Sequence, residues 1–452
     1  MVQQKEYLGH YYEEFAAFEE RFSKDEPDWF QEIRKAGMKQ FGEQGFPTAR
    51  RGNELWKYTN IGPIAKTLFQ LPRVNPKNSF VLDSLTQEEV FGIHASTYLF
   101  IDGRFESELS SDPNKEQAPI VTTLHEALEK YPEVIQQHIG KCAVDEENAF
   151  IALNTAFFND GMLIFVPDNL QVDEVINIVF VSSDSNLNIV NHPRVLVVTG
   201  ENSKLSLMES FLSLGRNSVF NNSVTEIFAG KNSEIFHHKV LREHSEAFHV
   251  SMTRVWQDMG SYFNSTAIGG GSALTRNDYH VVLGQSESTC ILNGLYITDG
   301  QEHIDNHITV SHLEPRTTSR QTFKGILSGD SRAVFSGKIH VHRNAAKSDA
   351  QQSDKNLILS KGAEVDSNPS LEILTDDVKC THGATSGEVS EEAMFYIMSR
   401  GFDRQTALNI LIRAFGDEII DNIRNSSLKT YIRNNVFEGL LPKGMEGIRG
   451  SE

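Results

Sequence analysis

Hydrophobic and polar positions follow three rhythms along this chain. Up to about residue 147 the spacing is mostly helical. Trp29, Ile33 and Ala36 fall on one stripe, Pro27 stands at a first helical position after Asp25 and Glu26, and Gly45 and Pro47 close the segment. The polar and aromatic stretch from Arg50 to Thr59 has no period. Residues 97–105 alternate into Asp102-Gly103, a hairpin signal. A further helical pattern runs from Thr122 to Gly140, with Pro132 predicted to break it.

From about residue 160 to 380 short alternating runs take over, among them Leu163–Val166, Ile176–Val181, Val195–Val198 and Ile339–Val341. Gly200-Glu201-Asn202-Ser203 recurs as Gly230-Lys231-Asn232-Ser233, and similar glycine turns follow at Gly260, Gly284, Gly329 and Gly362. Such a loose repeat predicts stacked rungs of a β-solenoid, each unable to bury its own face alone. An irregular β-sandwich with hairpins at the glycines is the competing architecture. The chain then returns to helix. Ser390 and Asp403 stand as caps, and Leu408, Leu411, Ile412, Phe415, Ile419 and Ile423 share one face. That stripe suits either a core or a partner surface. From Pro442 onward the chain reads as a loose tail. The predicted organisation is an N-terminal helical and mixed domain over 1–147, a β core over 148–386 and a C-terminal helical domain over 387–452.

Charge narrows the function classes. The chain has 452 residues with 42 basic and 61 acidic side chains, a net charge of −19, which argues against a nucleic-acid surface. No run of 18 apolar residues reads as a membrane span, and the N-terminus does not read as a signal peptide. The three cysteines, Cys142, Cys290 and Cys380, are scattered, so a reducing cytoplasm is the expected compartment. The chain lacks GxxxxGK[ST] and Gly-x-Ser-x-Gly, so neither nucleotide hydrolysis nor a serine nucleophile is expected.

Three clusters carry candidate chemistry. In an extended strand Cys380 and His382 share one face, which suits a soft metal or a nucleophile with its base. His303, Asp305 and His307 likewise share a face, and so do His340 and His342. These histidines leave open a metal-dependent, cupin-like enzyme built on His303, His307, His340 and His342.

Longer motifs then carry a family resemblance. Asn148–Phe157 with Asp160-Gly161, His303–His307, Thr317-Thr318-Ser319, Phe323–Leu327, Ser331–Phe335, Asn356–Ser360, Ala363–Asp366 and Asp376–Thr385 resemble the SufB/SufD family, scaffold proteins of the SUF iron–sulfur cluster assembly system. The Cys380–Thr385 run resembles the SufD branch. The resemblance implies a mainly β protein, a right-handed parallel β-helix between helical end domains. It implies a non-ATPase scaffold paired through its β-helix with SufB, and a SufC ATPase at the C-terminal helices, with Phe402, Leu408, Leu411, Ile412 and Phe415 as contacts. It implies no cofactor held tightly by this chain alone, and an iron ion or nascent cluster shared transiently with SufB near His382 and Cys380. His303, Asp305 and His307 are weaker candidates. A SufB-like sulfur-accepting role for Cys380 is the alternative, and a homodimer when SufB is absent is left open.

Overall fold

The computed structural model describes residues 2–22, 26–49, 53–72, 93, 95–111, 119–142, 148–158, 160–183, 187–215 and 217–442. Arg50-Arg51-Gly52 and the tail beyond Pro442 lie outside them.

Successive strands from Arg194 onward alternate between two facing sheets, so the chain winds as a parallel β-solenoid. The first sheet runs from Ala95–Ile101 through Gln171–Ser182, Lys204–Ser213, Glu234–Arg242, Tyr262–Gly270, Thr289–Thr298, Thr318–Leu327 and Asp349–Ile358 to Lys379–Gly387. The second includes Gly161–Val166, Arg194–Thr199, Val219–Ala229, Ala247–Gln257, Leu274–Leu283, His303–His312 and Arg332–Val341, and ends at Glu364–Ile373. These strands pair in parallel, which excludes the antiparallel barrel of a cupin and the β-sandwich alike. Antiparallel partners occur at the opening end, where Arg104–Phe105 and Ile120–Thr123 finish the two sheets.

In-register partners Glu234, Tyr262, Thr289, Thr318, Asp349 and Lys379 give rungs of 27 to 31 residues. The glycine spacing looked irregular because it mixed two corners. Gly200, Gly230, Gly260 and Gly284 follow strands of the second sheet, whereas Gly329 and Gly362 follow strands of the first. At the first corner Asn202 and Asn232 adopt φ of 55° and 54°, and Gly260 takes φ 65° one rung on. The side chains stack as a ladder, Asn232 Nδ2 donating to Asn202 Oδ1 at 3.2 Å and Asn202 Nδ2 to Asn169 Oδ1 at 3.0 Å.

Inward-facing rows hold most of the core, including the stacked rings of Phe100, Phe180 and Phe211 with centroids 5.1 Å apart at each step. This matches the inter-strand spacing of about 4.8 Å, so one ring per rung fills the row. Helices cover both outer faces. Val2–Phe22, Asp28–Gln44 and Ala149–Phe157 pack on the second sheet against Val190, Phe220, Val250 and Leu274. Asn148 caps the last of these by accepting from Phe150 N and Ile151 N. Arg404–Ile420 and Ser426–Tyr431, which continues into a π-turn, pack on the first sheet against Val240, Ile268, Leu295, Ile297 and Ile326. The Thr122–Gly140 pattern forms two helices, Leu124–Lys130 and Pro132–His138, divided at Pro132 as expected. Asp102 and Gly103 take the two positive-φ positions of a hairpin turn.

The interior is not wholly apolar. Glu209, His237 and Lys239 are fully buried between the sheets. Glu209 meets His237 Nε2 at 2.8 Å and accepts from Thr225, while Lys239 donates to Ser251 at 2.7 Å and Thr253 at 3.0 Å. Burial raises the Glu209 carboxyl, but the Lys239 charge and the His237 and Thr225 hydrogen bonds outweigh it and leave it at about 2.

Two outcomes follow from this packing. A carboxylate held below its unfolded value of about 4.3 contributes stability above that pH, and loses it as the pH falls towards 2. Glu209→Gln leaves buried Lys239 uncompensated and should cost about 3–5 kcal/mol at neutral pH. Its thermal midpoint should also fall less steeply than that of the parent between roughly pH 4 and 2. The second outcome concerns the corner at Gly230, where an added Cβ would lie 2.3 Å from the Thr199 carbonyl oxygen. Gly230→Ala should cost about 1–3 kcal/mol. At Gly383 an added Cβ meets nothing within 4 Å, so Gly383→Ala should change stability by less than about 0.5 kcal/mol.

Candidate functional site

Among the described residues the solenoid ends on an uncovered rung. Lys379–Gly387 pairs, among the described residues, only with Asp349–Ile358, and Glu364–Ile373 only with Arg332–Val341. The free edge of each strand therefore presents unpaired backbone groups beside exposed Ile373 and Leu374.

Cys380 and His382 lie on this last strand, and their alternation places them on one row. Cys380 is in register with Ala350 and His382 with Gln352. Ala350 and Gln352 are buried, so this row points into the solenoid. One rung later the same row has no strand above it, and the two residues diverge. Cys380 is half-buried against Ile339, Val341, Ala345 and Leu371. Burial pushes its thiol up, so it is not poised as a thiolate. His382 is exposed. Beneath it both polar atoms of the Gln352 amide are buried without a hydrogen-bond partner. The side chain reaches towards Gly337 of the opposite sheet, which has no Cβ to obstruct it.

His303, Asp305 and His307 do share a face, but it is the outer face of the second sheet, under the N-terminal region. Asp305 Oδ2 accepts from Thr59 Oγ1 at 2.6 Å and from Arg276 at 2.5 Å. Thr59 also lies 3.3 Å from His303 Nε2. The Arg276 guanidinium stacks 3.8 Å from the Trp56 ring centre and donates to the Leu55 carbonyl at 2.9 Å. The described part of the aperiodic 50–59 stretch is thus a strap laid across the solenoid. Burial lowers His303 and His307. Neither lies on the sheet that carries Cys380 and His382.

The four histidines of the enzyme reading do not converge. His307 is in register with Ser336, whereas His340 is in register with Ser311. Four residues along a strand separate them by about 13 Å. Among the described residues no group of three His, Cys, Asp or Glu is placed to hold a metal ion.

The C-terminal stripe divides between two uses. Ile412 is fully buried on the solenoid, and Leu408 and Phe415 are partly buried there. Lys324 of the first sheet donates to the Phe415 carbonyl at 3.0 Å and pairs with Glu418. Leu411 is half-buried. Reading the whole stripe as partner-facing is therefore corrected: most of it fastens the helix to its own sheet. The uncovered apolar surface lies one helix earlier, on Glu391–Met398, where Phe395 is 73% and Tyr396 59% exposed, and continues to Phe402 at 48%. Phe395 and Tyr396 had no signal in a single sequence, because a short helix exposes its apolar residues without changing their spacing.

The class of the molecule is thus a parallel β-solenoid with helices on both faces and a histidine on its last described rung. The chain belongs to the SufBD family: residues 180–415 match the SUF system FeS cluster assembly SufBD core domain, and residues 1–178 match the SufBD protein N-terminal region. It is 29% identical over 394 residues to an iron–sulfur cluster assembly SufBD family protein of Synechocystis, covering 85% of this chain and 86% of that one. It is 28% identical over 409 residues to the iron–sulfur cluster assembly protein SufD of Escherichia coli, covering 89% and 91%. It is also 28% identical over 403 residues to the chloroplastic protein ABCI7 of Arabidopsis thaliana, covering 87% and 83%. This is an iron–sulfur cluster assembly protein of the SufBD family.

The strap gives a direct test. Asp305→Ala leaves the Arg276 guanidinium with a weaker partner and should cost about 3 kcal/mol, with earlier proteolytic cleavage near residues 53–61. Thr59→Val should cost about 1 kcal/mol.

Proposed function

We propose that this chain is the SufD-type scaffold subunit of a SUF complex, pairing with SufB through the open end of its solenoid and with the SufC ATPase through its C-terminal helical region. One observation carries the reading: among the described residues the last rung is an unsatisfied edge, and His382 is an exposed donor on it. An edge strand of this kind is completed by a second strand from another chain. A partner solenoid docked there would bring its own side chains over His382. Iron or a nascent cluster is then cargo shared between two proteins, not a group held tightly by this one. Cys380 is the lesser donor, because its thiol is half-buried and pushed up. The same property disfavours the SufB-like sulfur-acceptor role, which needs an accessible thiolate. Without SufB the same edge would support a homodimer.

The exposed Phe395, Tyr396 and Phe402 surface is the contact we assign to SufC, a relocation from the buried stripe. Energy-driven chemistry belongs to that partner in this reading, and the present chain transmits motion as a stiff body. Three free cysteines suit a reducing cytoplasm. Among the described residues no helix is long and apolar enough to cross a membrane.

Co-expression with SufB and SufC should yield one complex on gel filtration, and clean separation of the three chains would overturn the assignment. Within that complex His382→Ala should lower cluster yield about tenfold without dissociating subunits. A paired Phe395→Ser, Phe402→Ser variant should weaken SufC retention about thirtyfold and leave SufB bound.

A further inference from the structure

The inward row that ends at His382 carries two amides that the fold leaves without partners. Leu292, Gln321, Gln352 and His382 stand in register on successive strands of the first sheet. Leu292 belongs to the apolar core, whereas Gln321 and Gln352 are polar and only 2% and 3% exposed. Among the described residues neither the oxygen nor the nitrogen of either amide has a hydrogen-bond partner. A buried amide in that state destabilises a fold that an apolar side chain of the same shape would suit, so it calls for a partner. Gly337 on the facing strand leaves the Gln352 amide room, because an added Cβ there would overlap its nitrogen.

Side chains on successive rungs already bond to one another along the inward rows. Asn277 Nδ2 donates to Asn306 Oδ1, its partner in register, at 3.1 Å. Lower in the His382 row, His237 Nδ1 lies 2.9 Å from Ser265 Oγ one rung on. Strands in register are about 4.8 Å apart, so the Gln352 amide can reach the imidazole one rung above it in the same way. We propose that Gln352 is a positioning residue for His382. When a partner strand covers the last rung, the Gln352 carbonyl oxygen accepts from one imidazole nitrogen, and Gln352 Nε2 donates in turn to Gln321 Oε1. A neutral imidazole donates from one nitrogen and keeps a lone pair on the other. The contact therefore decides which nitrogen is left for iron or a nascent cluster, as a carbonyl commonly does behind a ligating histidine. The inference rests on the reading of His382 as the donor at the partner edge.

The complex of this chain with SufB and SufC, isolated with its cluster, tests it, with yield read as visible absorbance and iron per complex. Gln352→Met keeps the side-chain length and removes both polar atoms. It should lower cluster yield about fivefold, while the thermal midpoint of the free chain stays at or above that of the parent. Gln352→Glu keeps an acceptor. It should hold the yield within about twofold of the parent and lower the midpoint, because it buries a carboxyl. A purely structural role would make yield and midpoint fall together, and that pattern overturns the proposal. The His382→Ala, Gln352→Met double variant should fall no further than His382→Ala alone, since positioning acts only through the ring; two losses that multiply also overturn it. Full yield in Gln352→Met beside a loss in His382→Ala overturns this inference and leaves the reading of His382 standing. Full yield in His382→Ala overturns that reading, and the inference with it.

Discussion

Backbone pairing in this molecule runs along the solenoid axis, so each rung is held by the one before it and offers its free edge to the one after. Nearly every other feature depends on that ladder. It keeps inward and outward rows in register from one strand to the next, because a slip of one residue would turn every side chain to the wrong face. It makes rings stack where rings recur and asparagines stack where corners recur. It also guarantees that the stack cannot end neatly. At the first end antiparallel strands and helices absorb the free edges. At the last rung the edges of both sheets are left open among the described residues.

Register also decides what a buried charge costs. Glu209, His237 and Lys239 face inward because their positions share parity with Leu205, Leu207 and Leu241, not because the interior favours them. Their mutual hydrogen bonds, with Thr225, Ser251, Thr253 and Ser265, offset desolvation that an isolated charge could not survive. An apolar substitute of the right volume would be no less stable in principle. The cluster therefore reads as a device that specifies which strands face one another, more than as a source of net stability.

Much of the fold was legible in the residues alone. Strict alternation marked the strands, and Ser390, Asp403, Gly45 and Pro132 each sit where a cap or break was expected. The shared faces of His303 with His307, and of Cys380 with His382, followed from period two. What stayed hidden is long-range. The rung length was masked because glycines of two corners were counted as one series. Trp56 and Thr59 showed no period, since a strap is shaped by Arg276 and Asp305 more than 200 residues away. The spacing of the C-terminal stripe marks an apolar helix face but does not reveal that its own sheet occupies most of it. The exposure of His382 depended on its being on the last rung, a property of where the repeat stops and not of the motif.

The join between the last strand and the exposed helix places two proposed contacts under one mechanical constraint. Lys379–Gly387 is hydrogen-bonded on one side only, and the helix Glu391–Met398 follows after three residues. The next helix is fastened to the first sheet through Lys324, Phe415 and Glu418, so it cannot move freely with its neighbour. A partner that displaced the Phe395 surface would therefore pull against this anchor and against the edge strand that carries His382. An interior strand would resist through two ladders, but this one resists through a single ladder. The uncovered rung that invites a second solenoid is thus also the rung most easily shifted by a protein bound to the adjoining helix. In such a scaffold the donor on the edge can be repositioned while the other rungs, each bonded on both sides, keep their register.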